Sequence, residues 1–267
     1  ITQRGLSPEV ELTAVADIRP ARLKWAEEQL PDTVARFDNA DALLDSGLVE
    51  AVIVAVPHYD HPTFGIAAME RGIHVLVEKP AGVYVKQVRE MNEVAAKHPE
   101  VVFGMMFNQR TNHIYRKMHE LVHSGKYGRI RRTNWLITNW YRPQAYYDSG
   151  DWRATWSGEG GGVLMNQCPH NLDLWQWIFG MPSAIYANCE FGKYHDIEVE
   201  DDVTAMAKYP NGATGVFITT TGEYPGTNRL EITGSKGKLV YEAGKLMYTK
   251  LEMDEREFTF NSNQGFA

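Results

Sequence analysis

Cysteine is scarce in this chain of 267 residues: Cys168 and Cys189 are all it has. Two thiols cannot build the bridged framework of a small secreted domain, and no paired-cysteine zinc spacing occurs. Long apolar runs are missing too. The longest near the middle, Ala51 to Val56, is far short of the roughly 20 residues that span a bilayer, and no charged-then-apolar signal segment opens the chain. These absences give the expectation of a cytoplasmic protein with no membrane role. Basic runs are also lacking. Lys and Arg number 27 against 34 Asp and Glu, a net charge of −7, which argues against sequence-independent nucleic-acid binding, because that needs clustered cations on phosphates. The histidine pairs His58/His61 and His119/His123, and Cys168 with His170, each lack a third metal ligand nearby in sequence. No metal is expected.

What is present fits a globular chain, with 43% hydrophobic and 23% charged residues. Through the first hundred residues apolar runs alternate with helical patterns. Val10 to Ala16 is followed by a helix over Pro20 to Leu30, and Ala40 to Leu44 leads to Ala51 to Val56. Pro62 to Arg71 then leads to His74 to Val77, and Lys86 to Lys97 to Val101 to Phe107. Strands apolar on both faces and separated by helices predict a parallel sheet between helix layers, half of a doubly wound α/β fold. Beyond residue 107 the pattern changes. A helix over His113 to Ser124, a strand over Ile130 to Trp140, an aromatic-rich loop and a helix over Gly162 to Phe179 precede only strand-like runs. Those runs are Ala184 to Phe191, Val203 to Tyr209, Thr214 to Thr221, Arg229 to Thr233 and Lys238 to Tyr241, with natural turns at Asn211-Gly212 and Gly234 to Gly237. This predicts a first domain over 1–107 and, over 108–267, an α+β domain with an open, mostly antiparallel sheet.

Doubly wound sheets bind ligands beyond the C-terminal ends of their strands. Asp17 ends the first visible strand, where a carboxylate can accept from an adenosine ribose; it is equally placed as a helix N-cap. The phosphate-binding Gly-x-Gly-x-x-Gly turn is absent. Ile1 to Leu6 reads as the tail of a helix, so the turn is expected upstream of Ile1 in a chain truncated at its start. Neither Gly160 to Gly162 nor Gly234 to Gly237 replaces it. Later strand ends supply Pro57 to His61 and Glu78-Lys79-Pro80. A lysine at a sheet mouth can stabilise a developing alkoxide, or be a solvated surface cation.

In the second region Asn166, His170 and Asp173 fall at i, i+4 and i+7 of the predicted helix and so share a face. Histidine suits proton transfer near neutral pH, and Asp173 could orient it or raise its basicity; a hydrogen-bonded core histidine fits the same spacing. Trp135, Trp140, Trp152, Trp156, Trp175 and Trp177 cluster with Tyr141, Tyr146 and Tyr147, which suits stacking on sugar C–H faces as well as core or interface packing.

Taken together, Val54-Ala-Val-Pro-His-Tyr-Asp-His61, His74-Val-Leu-Val-Glu-Lys-Pro80, Trp152-Arg153 and Gly160-Gly-Gly-Val-Leu-Met-Asn-Gln-Cys-Pro-His-Asn-Leu-Asp173 resemble the glucose–fructose oxidoreductase, inositol dehydrogenase and rhizopine catabolism family over nearly the whole chain. The resemblance implies an N-terminal Rossmann domain for NAD or NADP and a C-terminal sheet that carries substrate contacts and builds homo-oligomers. It implies that Asp17 holds the adenosine ribose, Pro57 and His61 line the cofactor cleft, Glu78 and Lys79 sit by the nicotinamide ribose, and Trp152-Arg153 lies along the cofactor. Lys79 would also touch the reacting hydroxyl, and His170 would take its proton as hydride leaves the same carbon. The activity implied is an NAD(P)-dependent dehydrogenase acting on a secondary alcohol of a sugar, polyol or cyclitol. An NAD-dependent glycosidase using transient oxidation and a non-catalytic sensor are the alternatives. Asp17 favours NAD, because a carboxylate repels a 2′-phosphate, while Arg19 could accept one. Two departures stand out: Asn166 occupies a position where many members carry Asp, and truncation is expected at both ends, with the phosphate-binding turn missing and the chain stopping at Ala267 before the family's usual final elements. The fragment is therefore expected to bind dinucleotide poorly by itself.

Overall fold

The computed structural model describes residues 9–262, so the reading of Ile1 to Leu6 lies outside the described residues. The chain divides into two compact units, one running to Met106 and the other starting at Phe107.

In the first unit, short strands alternate with helices: β1 (Ala14–Ala16), α1 (Pro20–Gln29), β2 (Ala35–Phe37), α2 (Ala40–Leu44), β3 (Ala51–Val54), α3 (His61–Glu70), β4 (His74–Val77), α4 (Val85–Lys97) and β5 (Phe103–Met105). All pairings are parallel, β1 with β2 and β3-β4-β5 in a second sheet, a Rossmann-type arrangement. Proline opens both α1 and α3 in the first turn, where its missing N–H costs nothing. Asn39 caps α2 by accepting from Ala42 N at 2.7 Å. The core gathers Val54, Val75 and Val77 from the strands with Ala68, Met69 and Met91 from the helices. Two expectations are corrected. β2 has no apolar run to mark it in the sequence, and β3 is not apolar-buried on both faces: among the described residues it is an edge strand of its sheet, with Ile53 half exposed.

The second unit contains α5 (His113–His123), β6 (Ile130–Ile137), the short α6 (Gln144–Tyr147), α7 (Pro169–Phe179), β7 (Ala184–Phe191), β8 (Glu200–Lys208), β9 (Thr214–Thr220), β10 (Asn228–Gly234), β11 (Gly237–Glu242), β12 (Lys245–Lys250) and α8 (Glu255–Asn261). Its seven strands run β12-β11-β10-β6-β9-β8-β7, antiparallel except for the β6–β9 pair. Alternation along the strands sends Trp135, Phe217, Leu230 and Ile232 into one face, where Tyr115 and Met118 of α5 and Leu174, Trp175 and Ile178 of α7 join them.

The predicted helix over Gly162 to Phe179 is corrected most. Helix begins only at Pro169, which occupies its first turn. Proline disfavours helical backbone at the residue before it, and the N–H groups of Gly162 to Leu164 point instead at Glu200. Asn166 therefore sits in a turn, and only His170 and Asp173 share the helix. After Phe179 the chain is not all strand either: Asp254 caps α8 by accepting from Arg256 N at 3.0 Å.

Candidate functional site

The residues singled out in the sequence fall in two groups, one in each unit. In the first unit they sit where strands end. Asp17 follows β1, and its Oδ1 accepts from Arg19 N at 2.8 Å with Arg19 Nε 3.9 Å away. The carboxylate thus closes the turn into α1. The Arg19 side chain is 72% exposed.

Glu78 and Lys79 follow β4 and are half-buried. This segment is tied to its neighbours on both sides: Glu78 N donates to Val54 O at 2.9 Å, and Met106 N donates to Val77 O at 2.8 Å. Lys79 N also donates to Glu78 Oε2 at 3.1 Å, which fixes the carboxylate over the turn. The Lys79-Pro80 peptide is cis.

Pro57 is exposed, but His61 is not as expected. Its side chain is buried at 1% exposure, with Nδ1 2.6 Å from Pro80 O and Nε2 2.8 Å from Val56 O. Both ring nitrogens face backbone carbonyls, so the ring meets protein rather than lining an open cleft.

In the second unit the segment from 146 to 173 brings the remaining residues together. Arg153 stacks over the rings of Trp152 and Tyr146, with its guanidinium carbon 4.4 and 4.5 Å from their centroids. Its Nη1 donates to Tyr146 OH at 2.9 Å and its Nε to Ser149 Oγ at 3.0 Å. Tyr146 OH lies 3.5 Å from Asn166 Nδ2, which donates to Glu159 Oε1. Glu159 is 1% exposed and accepts from Ala154 N at 2.8 Å through its other oxygen, with Arg153 Nη1 4.0 Å away. A buried carboxylate is tolerable here because donors meet both oxygens.

His170 stands in the first turn of α7, half-buried, with its ring edge-on to Phe107 at 6.1 Å. Asp173 does not face it as a free orienting carboxylate. Both Asp173 oxygens accept from Arg110, at 2.8 and 2.6 Å, and this pairing pushes the guanidinium to hold its proton more firmly still. Arg110 also lies over the Trp177 ring. Each Asp173 oxygen is thus already paired with a cation.

The turn that delivers α7 hangs on Glu200, the first residue of β8. Gly162 N and Leu164 N donate to its two carboxylate oxygens at 2.9 and 3.1 Å, and Val163 N donates to its carbonyl at 2.9 Å. A Cβ on Gly162 would lie 1.9 Å from that carbonyl, so only glycine fits. The next residue, Asp201, is fully buried and accepts from Lys193 N, Tyr194 N and His195 Nδ1, while His195 Nε2 lies 2.8 Å from Arg142 O. Glu159, Glu200, Asp201, His195 and Arg110 escaped sequence reasoning. An acidic run at a strand start looks like a solvated edge, and nothing local marks Glu159 as buried.

The tryptophans divide. Trp135 and Trp175 are core residues, whereas Trp152 and Trp156 are about half exposed. Among the described residues no group of three or more His, Cys, Asp or Glu is placed to hold a metal ion. Nor is any helix among them long and apolar enough to cross a membrane.

Two family models match this chain. Residues 2–105 match the model described as oxidoreductase family, NAD-binding Rossmann fold, and residues 115–240 the GFO/IDH/MocA C-terminal domain. The chain belongs to the GFO/IDH/MocA family. Among solved members, the WlbA dehydrogenase of Chromobacterium violaceum, in complex with NADH and UDP-GlcNAcA, is 30% identical with a TM-score of 0.83, covering 96% of this chain and 74% of that one. The WlbA dehydrogenase of Bordetella pertussis, in the same kind of complex, is 26% identical with a TM-score of 0.85 over 97% of this chain and 80% of that one. The myo-inositol 2-dehydrogenase of Thermotoga maritima is 25% identical over 85% of this chain. This chain spans 60 to 66% of the length of the first curated relatives it matches.

Proposed function

We propose that this GFO/IDH/MocA protein is a nicotinamide-dependent dehydrogenase that moves a hydride between a secondary alcohol of a sugar, polyol or cyclitol and NAD. The observation that carries this reading is the turn after β4, which is hydrogen-bonded to β3 and β5 on either side and presents Lys79 at a parallel-sheet mouth. The residues there suit a dinucleotide. Asp17 uses Oδ1 for its turn, so Oδ2 can accept from an adenosine ribose hydroxyl without undoing the entry into α1. Pro57, Glu78 and Lys79 would border the nicotinamide end, and Trp152 with Arg153 would lie beside the cofactor. The cofactor supplies the hydride acceptor.

The chain's own part is positioning and proton handling. The Lys79 ammonium would donate to the substrate oxygen and stabilise negative charge as it develops there. His170 would accept the hydroxyl proton at a ring nitrogen, with Asn166 holding position in the turn before it. The stacked Arg153 and the exposed rings of Trp152 and Trp156 offer cationic and flat apolar contacts of the kind sugars and sugar acids use. UDP-GlcNAcA, bound by the solved WlbA relatives, therefore joins polyols and cyclitols on the panel to test.

The outer face of the second unit's sheet is assigned to contact between copies of the chain. Tyr186, Met206 and Val216 lie side by side across β7, β8 and β9, with Leu136 and Ile218 paired beside them. Met206→Glu is expected to reduce the mass seen by sedimentation, and an unchanged mass would reject this face.

The deciding experiment mixes the full-length protein with NAD or NADP and the panel, following nicotinamide absorbance with Lys79→Ala alongside. Reduction that disappears in the variant is expected. Tightly held cofactor with no net reduction by any compound would reject the dehydrogenase in favour of transient oxidation or sensing.

A further inference from the structure

His61 is a polar ring placed where a core residue would serve. It opens α3 at 1% exposure beside buried Pro62, and its two nitrogens reach Pro80 O at 2.6 Å and Val56 O at 2.8 Å. Those carbonyls belong to different turns: Val56 lies just beyond β3 and Pro80 directly follows Lys79. The segment after Lys79 also packs without slack on the first turn of α3, since a Cβ on Gly82 would come within 2.7 Å of Pro62 Cγ. Elsewhere the segment is held by backbone groups, at Glu78 N to Val54 O and Met106 N to Val77 O, and both of these bonds lie before Lys79. His61 Nδ1 is a side-chain tie to the backbone just after it, at Pro80 O. A carbonyl buried beside a removed donor must lose its partner or move, and either would let the Lys79 turn swing.

We propose that His61 is a positioning residue for Lys79, clasping the turn that carries the lysine to the end of β3, and not a cofactor contact. The inference rests on Lys79 being the group that meets the reacting oxygen. The imidazole reaches both carbonyls, and a neutral ring donates to one of them at a time. Asparagine places an amide nitrogen near Nδ1 and keeps a donor for Pro80 O, glutamine places one near Nε2 for Val56 O, and phenylalanine keeps only the volume.

The test compares His61→Asn, His61→Gln and His61→Phe in the full-length protein, each first checked for a cooperative thermal melt. His61→Phe is expected to lower kcat by about 100-fold, the scale of an ångström-sized misplacement, with the Kd for NAD unchanged. His61→Asn should recover more of kcat than His61→Gln, because it keeps the donor nearest Lys79. A second readout needs no turnover: the rate at which an acylating reagent modifies Lys79, followed by mass spectrometry against exposed Lys86. That rate should change in His61→Gln and His61→Phe while Lys86 stays constant. A rise in the Kd for NAD that matches the loss of kcat would overturn the proposal, as would an unchanged Lys79 rate. If the unsubstituted protein reduces no nicotinamide, the dehydrogenase reading fails, and the labelling rates still decide the clasp. Should His61→Phe fail to fold, the Asn and Gln variants carry the comparison.

Discussion

The side-chain amide of Asn166 donates to the buried carboxylate of Glu159, with Arg153 Nη1 4.0 Å from the same oxygen. The negative charge in this turn is therefore carried at 159, and position 166 is a donor. Asn166→Asp would set two carboxylates against each other in a buried site, and the loss should exceed the roughly 1–3 kcal/mol of an unmade buried hydrogen bond, since a charge is involved. The repulsion raises the affinity of the pair for a proton, so the variant's deficit should be small in acid and grow as pH rises through the carboxylate range. Glu159→Gln combined with Asn166→Asp should recover much of the loss. Chemical denaturation of the four proteins at two pH values measures this, and a double variant no better than Asn166→Asp would reject the pairing.

Arg110 and Asp173 form a two-pronged pair with the carboxylate nearly buried and the guanidinium partly exposed. Removing the cation strands the anion, so Arg110→Ala is expected to cost stability toward the lower end of the about 3–5 kcal/mol typical of broken buried pairs. Asp173→Asn should lower Tm as well. Neither should move the pH dependence of turnover assigned to His170, because the Asp173 oxygens are already committed. A shift of that pH limb in Asp173→Asn with Tm unchanged would instead assign Asp173 as partner to His170.

The sequence revealed the architecture where hydrophobic period and turn residues agreed. His74 to Val77 and Ala184 to Phe191 are strands over those same residues, and Asn211-Gly212 turns between β8 and β9. It misled where a long-range partner decided the backbone. Residues 162–168 contain apolar and polar residues at helical spacing, yet Glu200, far along the chain, takes their N–H groups, and Pro169 restarts the count. The same limit applies to side chains. Periodicity placed His61 and Asp173 near strand and helix ends, but whether such a group faces a ligand or is spent on a carbonyl or a guanidinium depends on residues 19 and 63 positions away. Short-range signals carry no trace of that.

Burial in the second unit's core pushes the Cys168 thiol up to about 12 from an ordinary 9.0, against a contact with Thr219 Oγ1 at 2.9 Å that favours the thiolate. A thiol whose folded value lies above its unfolded one binds its proton more firmly when folded. Its contribution is therefore complete below about pH 9 and declines as pH rises from there toward 12. The fall in Tm between pH 8.5 and 10.5, on the order of that window, should be shallower in Cys168→Ala than in the unsubstituted protein. The buried thiol should also resist alkylation at pH 8 until denaturant is added. Fast modification of Cys168 in the folded protein would contradict its burial.

Asp17 and Arg19 sit on one turn with opposite charges, and cofactor choice follows from which of them the ribose meets. The carboxylate repels a 2′-phosphate and accepts from a 2′-hydroxyl, whereas the arginine side chain is mostly exposed and only loosely paired at 3.9 Å. Asp17→Asn should weaken NAD binding by the roughly 1.5–3 kcal/mol of a charge-assisted hydrogen bond, about 10- to 100-fold, while NADP binding tightens as the repulsion of its 2′-phosphate is removed. Arg19→Ala should weaken NADP alone. The measurement is the Kd for each dinucleotide by titration of the full-length protein and the two variants. An equal loss for both dinucleotides in Asp17→Asn would mean that the carboxylate serves the turn, through Arg19 N, and not the ribose.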